Sequence, residues 1–213
     1  MVPTYETPND RGHRRWSDSL LLAQLDRAER LTRALGDGRL NQHSYRDWLA
    51  SESAACRIGA LSLDAVAGWH CSQPGLQETA QAWAAEWREL AQLAAADVRA
   101  VGGNAAAPPA QLGEWQAFLA QAGGSQRAGE VLGAAALNCR LLAGPVRGVL
   151  AAIRAQSFAV HACGYLTRRL QLEPATVSGA RSALLDAYSL AALTVGAQRA
   201  TAWSRGALMA CLR

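Results

Sequence analysis

Residues 31–53 read LTRALGDGRLNQHSYRDWLASES, and this stretch predicts the helix–turn–helix pattern on which the fold depends. Upstream of it, apolar residues recur every three or four positions, which predicts a first helix from the Ser17 cap to Gly36. The segment GDGRLNQHS is rich in turn-forming residues, and Ser44 is predicted to cap a second helix that ends near Gly68. The stretch therefore predicts two helices joined by a short turn.

The same periodicity continues along the rest of the chain. Further helices are predicted at residues 76–101, 112–122, 126–172 (with a kink at Gly144–Pro145) and 178–209. Residues 1–15 are polar and predict a flexible tail, whereas residues 16–213 predict one domain. The predicted fold class is all-α, with six to seven helices packed as a single bundle.

Composition supports this fold class and excludes some functions. Half of the residues are apolar, which is enough for a sizeable core, and the strong helix formers Ala, Leu, Arg, Gln and Glu dominate. The net charge is +4 and the chain contains no lysine. Schiff-base chemistry and a P-loop are therefore excluded, because both need a lysine. The excess charge is small and scattered, so no nucleic-acid partner is expected.

Cysteine usage and hydropathy predict a cellular location. The five cysteines form no CxxC pair, which is typical of reduced thiols in the cytoplasm. No stretch has the features of a signal peptide, and no run of about 18 uncharged apolar residues occurs. We therefore expect a soluble cytoplasmic protein with no membrane partner.

The residues RALGDGRL (33–40), followed by Tyr45, Trp48 and Leu49, resemble the heme-oxygenase-like superfamily. This superfamily includes heme oxygenases, TenA thiaminases and non-heme diiron oxidases, and its first helix ends in a similar phrase. Residues 129–145, GEVLGAAALNCRLLAGP, resemble the glycine-bearing helix that lies over the heme of heme oxygenases. A final helix started by Pro174 also fits. The resemblance implies a heme-oxygenase-like bundle over most of the chain.

The sequence departs from this superfamily at its metal ligands. Heme oxygenases carry an iron-ligating His on the first helix, but the matching place near Leu25 or Asp26 has no His. The diiron oxidases need a late Asp–His pair, and here Asp186 is followed four residues later by Leu190. We therefore expect no metal site, whereas heme stays open as a cofactor without the usual proximal His.

The TenA resemblance implies two catalytic candidates. TenA enzymes use an acidic residue early in the second helix and a Cys on a later central helix, and Glu52 and Cys139 stand at these places. The aromatic neighbours expected after the Cys are missing. A carboxylate in an apolar setting can act as a general acid or base. The alternatives are that an Arg pairs with Glu52 and that Cys139 is a small apolar core residue.

The superfamily also implies a pocket between the early helices and the glycine-bearing helix. Mapped onto this chain, its walls would hold Leu25, Glu29, Glu52, Cys56, Gly129 and Gly133, with Arg140 at an anionic end of the ligand. The two glycines would admit either a flat ligand or a neighbouring helix. His161 is predicted to lie mid-helix as a core histidine, either touching the ligand or satisfied by a polar neighbour.

A basic heptad pattern crosses the same region. Arg140, Arg147, Arg154, His161 and Arg168 recur every seven residues, which would align them on one face of a continuous helix. Such a face is either the solvated side of an amphipathic helix or a site for an anionic ligand or an acidic partner.

Two classes of function stay open. The first is an enzyme or former enzyme with a pocket for a hydrophobic or planar ligand of the heme or tetrapyrrole type. Its chemistry would be that of a heme-oxygenase-like oxidoreductase or of a TenA-like hydrolase. The second is a non-catalytic helical protein that binds a partner protein. A homodimer is compatible with either class.

Overall fold

The computed structural model describes residues 22, 25–26, 29–102, 110–123, 127–139, 143–171 and 188–212. In these residues the regular elements are all helices and there is no strand, so the predicted all-α class is confirmed. The helices are α1 (29–36, with residues 22, 25 and 26 also helical), α2 (Gln42–Trp69), α3 (Pro74–Val101), α4 (Ala110–Gly123), α5 (Ala128–Cys139), α6 (Ala143–Arg154), α7 (Gly164–Gln171) and α8 (Leu190–Cys211). A short 3₁₀ helix, Ser157–Ala159, lies between α6 and α7.

The turn between α1 and α2 depends on a glycine and a capping residue. Gly38 has a φ of 68°, a left-handed conformation that favours glycine. The Asn41 side chain accepts hydrogen bonds from the backbone N–H groups of His43 and Ser44 at 3.0 and 3.1 Å. The Ser44 hydroxyl accepts in return from the Asn41 N–H at 2.8 Å, which completes a capping box. The predicted Ser44 cap is therefore wrong, because Asn41 takes the capping position.

Helix α2 is the centre of the bundle. It packs most extensively against α3 and also contacts α4, α5 and α8. Trp48 on α2 and Trp83 and Trp87 on α3 are almost fully buried. Gly59 allows this packing, because a Cβ atom at its position would overlap the Trp87 ring. Large buried rings dominate the hydrophobic stabilisation of a core, so the α2–α3 pair forms the main part of it.

Helices α5 and α8 form a second close pair. A Cβ atom built on Gly133 would overlap the carbonyl group of Leu193, and one built on Gly196 would overlap that of Glu130. Each glycine therefore lets the opposite backbone approach more closely than any other residue would allow.

The prediction of one helix over residues 126–172 is wrong, because the helical region is interrupted. The described part of this region is divided into α5, α6, the 3₁₀ helix and α7, and residues 155–163 contain no α-helix. Pro145 lies in the first turn of α6, and residues 140–142, which precede that helix, lie outside the described residues. The last helix begins at Leu190, after a Ser189 cap, whereas its predicted start at Ser178 lies outside the described residues. No helix in the described ranges is long and apolar enough to cross a membrane.

Candidate functional site

Glu52 on α2 lies in a buried polar cluster with Tyr165 and Arg169 of α7, here called the Glu52 cluster. The Tyr165 hydroxyl donates to Glu52 Oε2 at 2.6 Å. Arg169 donates to the same hydroxyl through Nε at 3.1 Å and Nη2 at 2.9 Å, and its Nη2 lies 3.9 Å from Glu52 Oε2. Glu52 is 2% exposed and Arg169 is 1% exposed. A carboxylate and a guanidinium are thus held together in the core by one phenol group.

Charge compensation explains why the core tolerates these groups. A buried charge is costly unless an opposite charge and hydrogen bonds compensate it. Burial acts to lower the pKa of the Arg169 guanidinium, but Tyr165, Cys56 and Glu52 act in the opposite direction, and the pKa lies above its ordinary value. Arg169 is therefore a cation throughout the usual pH range. The Glu52 cluster ties α2 to α7, as expected if an Arg pairs with Glu52.

Asp97 on α3 holds the start of α7. Its carboxylate accepts from the backbone N–H of Gly164 at 3.0 Å and from that of Tyr165 at 2.8 Å. A helix leaves these N-terminal N–H groups without internal partners, and its dipole favours a negative charge beside them. Burial raises the pKa of the Asp97 carboxyl, whereas the two backbone N–H groups act to lower it. Asp97 therefore helps to position Tyr165 against Glu52.

Tyr45 fixes the turn that precedes α7. Its hydroxyl donates to the carbonyl oxygen of Ala162 at 2.7 Å. Burial raises the pKa of this hydroxyl, so it stays protonated and keeps its role as a donor. Sequence reasoning had placed Tyr45 only at the start of the second helix. Its partner could not be identified because the two residues are far apart in the chain.

The predicted pocket residues of α1 and α2 are only partly brought together. Cys56 is buried one turn after Glu52 and is close enough to Arg169 to influence its pKa. Leu25 is 42% exposed, and Glu29 is an exposed residue that forms an ion pair with Arg33. Only Cys56 therefore accompanies Glu52 in the core.

The predicted pocket wall on α5 is a helix contact. A Cβ atom at Gly129 would lie 2.8 Å from the Tyr188 ring, and one at Gly133 would lie 2.7 Å from Leu193 Cα. The glycines thus admit a neighbouring helix. Cys139 ends α5, but its side chain lies outside the described residues, as does all of Arg140.

The expected positions of His161 and of the basic heptad pattern are wrong. His161 is exposed in the turn before α7, because the chain leaves the α-helix after Arg154. Arg147 and Arg154 lie on α6, whereas Arg168 lies on α7, where it pairs with Glu89. The seven-residue spacing therefore does not produce one continuous basic face.

A surface cleft that was not predicted lies between α4 and α8, here called the aromatic cleft. It has a volume of 140 Å³ and is lined by Glu114, Trp115, Phe118, Arg199, Ala202 and Trp203. The rings of Trp115 and Trp203 are stacked, with centroids 5.3 Å apart and planes inclined by 27°. Phe118 lies beside Trp115 at a centroid distance of 5.5 Å. Two helices thus contribute one aromatic wall.

Polar groups of the aromatic cleft lack partners within the described part of the chain. The indole N–H groups of Trp115 and Trp203 are buried there without an acceptor, although buried indoles usually find one. Glu114 and Arg199 are exposed, and neither forms a hydrogen bond or ion pair with another described residue. Trp115 is 2% exposed and Trp203 is 8% exposed, so a ring in the cleft would contact the small exposed parts of these indoles together with the partly buried Phe118. Charged groups of either sign could bind beside that ring.

Sequence reasoning missed the aromatic cleft, although each half of it had a local signal. Glu114 and Phe118 are four residues apart on α4, and Arg199 and Trp203 are four residues apart on α8. Residues at this spacing share a helix face. The pairing of the two faces was not evident, because it depends on how α4 and α8 pack.

Among the residues that the structure describes, no group of three His, Cys, Asp or Glu side chains could hold a metal ion. The chain matches no protein-family model, and no curated protein or solved structure is significantly similar to it.

Proposed function

We propose that this chain is a helical binding protein for a small planar aromatic ligand, with the aromatic cleft as its binding site. The observation that carries the proposal is the stacked pair of Trp115 and Trp203 in the wall of an open cleft that also holds Arg199. A ring that meets Phe118 and the exposed parts of these indoles would gain at most about 0.5–1.5 kcal/mol beyond the apolar area that it buries. Arg199 would bind an anionic group of the ligand.

The volume of the aromatic cleft limits the ligand to about one ring. In another protein, an engineered cavity of about 150 Å³ holds a benzene molecule. The aromatic cleft measures 140 Å³, so one six-membered ring would fill it. A tetrapyrrole such as heme would leave most of its surface in water. The proposed ligand keeps the planar shape and anionic end expected from the sequence, but it is smaller and binds at other helices.

We also propose that the helical bundle derives from the heme-oxygenase-like superfamily. Support comes from the sequence resemblance of residues 33–49 and 129–145. In this view the chain keeps the bundle, lacks the metal ligands of that superfamily, and binds its ligand between α4 and α8.

A TenA-like hydrolase is the second candidate, favoured by the Glu52 cluster. A carboxylate that accepts a hydrogen bond from a tyrosine at 2.6 Å can exchange protons, and Cys139 would be the nucleophile that the resemblance implies. The Glu52 carboxylate is buried and already paired with Tyr165 and Arg169, so a substrate would have to displace these partners, and ligand binding ranks first. Hydrolysis of thiamin by the wild type, lost in a folded Glu52→Gln variant, would favour the hydrolase, and no turnover by the wild type would exclude it.

Calorimetric titration with benzoate tests the binding function. For so small a ligand we expect a Kd of the order of 0.1–1 mM. Ala202→Phe should fill the aromatic cleft and weaken binding at least about tenfold, which corresponds to about 1.4 kcal/mol. Ala191→Phe is the matched control, because Ala191 is equally an exposed alanine of α8 but does not line the cleft. Equal binding by both variants, or no binding by the wild type, would contradict the proposal.

A further inference from the structure

The charged side chains that line the aromatic cleft indicate the chemistry of its ligand. This inference rests on the proposed function. Glu114 lines the cleft from α4, and Arg199 lines it from α8. Each stands one helical turn before an aromatic residue of the same cleft, Phe118 and Trp203 respectively. The aromatic wall is therefore accompanied by a negative charge on one helix and a positive charge on the other.

These two charges do not neutralise each other. Glu114 and Arg199 line one small cleft, yet they form no ion pair with each other or with any other residue of the described ranges. Exposed acidic residues elsewhere on this surface do find arginines, as Asp64 does with Arg88. The Glu114 carboxylate is thus left as an acceptor, and the Arg199 guanidinium is left as a planar donor that matches a carboxylate.

We propose that the ligand of the aromatic cleft is a zwitterion, one aromatic ring that carries both a carboxylate and an ammonium group, as a free aromatic amino acid does. Its ring lies against Phe118 and the exposed parts of Trp115 and Trp203, its carboxylate meets Arg199, and its ammonium meets Glu114. A ligand with only a carboxylate places an anion near Glu114, and one with only an amine places a cation near Arg199. Because like charges repel, the cleft discriminates against both singly charged analogues.

Four probes with the same ring test this inference by calorimetric titration at low ionic strength. They are phenylalanine (zwitterion), 3-phenylpropionate (anion), 2-phenylethylamine (cation) and benzyl alcohol (neutral). Exposed ion pairs are weak, so we expect phenylalanine to bind about twofold to fivefold more tightly than either singly charged probe. The advantage should shrink at high salt, because salt screens exposed charges.

Charge-removing variants assign each preference to one side chain. Glu114→Gln should abolish the advantage of phenylalanine over 3-phenylpropionate and keep its advantage over 2-phenylethylamine. Arg199→Gln should have the reverse effect. Arg205→Gln is the matched control and should change neither ratio, because Arg205 is an exposed arginine of α8 that does not line the cleft.

The outcomes separate this inference from the proposed function. If 3-phenylpropionate binds the wild type as tightly as phenylalanine, or if Glu114→Gln leaves their ratio unchanged, the zwitterion is excluded. The binding function survives that result provided that Ala202→Phe still weakens binding at least about tenfold. If none of the four probes binds, or if Ala202→Phe has no effect on them, the proposed function fails and the zwitterion fails with it.

Discussion

Replacing Gly133 with alanine tests the close contact between α5 and α8. In an ordinary helix this substitution is favourable, because alanine has a higher helix propensity than glycine by about 1 kcal/mol. In this chain the added Cβ atom would overlap the Leu193 carbonyl and lie 2.7 Å from Leu193 Cα. The obstacle is backbone and cannot rotate aside as a side chain would. The two effects therefore have opposite signs, and the packing effect should be the larger.

The expected loss of stability follows from the separation that the helices need. Non-bonded carbon atoms rest about 3.5–4.0 Å apart, so α5 and α8 must move apart by about 1 Å. A gap of that size forfeits about a quarter to a half of the dispersion energy of each contact. Overpacking at a site that cannot yield costs about 2–3 kcal/mol, and the propensity gain offsets about 1 kcal/mol of it. The net loss of about 1–2 kcal/mol should lower Tm by about 2–8 °C.

Gly148 supplies the matched control for this measurement. It is an exposed glycine inside α6, and a Cβ atom at its position would meet nothing within 4 Å. Gly148→Ala should therefore stabilise the protein by about 0.5–1 kcal/mol. Urea and thermal unfolding followed by circular dichroism give both values. If Gly133→Ala proves as stable as Gly148→Ala, α8 does not pack against Gly133 and the assigned helix contact is refuted.

Three further predictions concern the buried polar groups and the metal content. Tyr165→Phe removes the hydroxyl between Glu52 and Arg169, so we expect the free energy of unfolding in urea to fall by about 1–3 kcal/mol; an unchanged midpoint would show that the hydroxyl is not buried between them. Burial raises the pKa of the Asp97 carboxyl in the folded protein above its value in the unfolded chain. The folded protein therefore holds the carboxyl proton more tightly, and the stabilisation that Asp97 contributes is lost as pH rises from about 4 through the folded-state pKa. Asp97→Asn should lack that loss, and parallel stability–pH curves for the two proteins would contradict it. Protein produced in iron-rich medium should contain well under one iron per chain, because the sequence lacks the superfamily's ligands; stoichiometric iron in elemental analysis would show this to be wrong.

The sequence by itself determined the fold class and the positions of the long helices. Helices predicted to end near Gly68 and to cover residues 76–101 correspond to α2 (Gln42–Trp69) and α3 (Pro74–Val101). Prediction succeeds here because the 3.6-residue repeat of apolar positions is a local property of the chain. The TenA resemblance singled out Glu52, a carboxylate in an apolar helix, and pairing with an arginine was one of the two alternatives expected for it.

Only the tertiary structure decided where the long helical pattern ends and what surrounds each site. Residues 155–163 read AQSFAVHAC and contain no Gly or Pro to stop a helix. The chain turns there because two distant helices hold it. Tyr45 of α2 binds the Ala162 carbonyl, and Asp97 of α3 binds the first N–H groups of α7. The aromatic cleft has the same origin, since Trp115 and Trp203 meet only when α4 packs on α8. Sequence periodicity shows which face of a helix is apolar. The helix that covers this face depends on how the whole bundle packs, and a local sequence pattern contains no information about that packing.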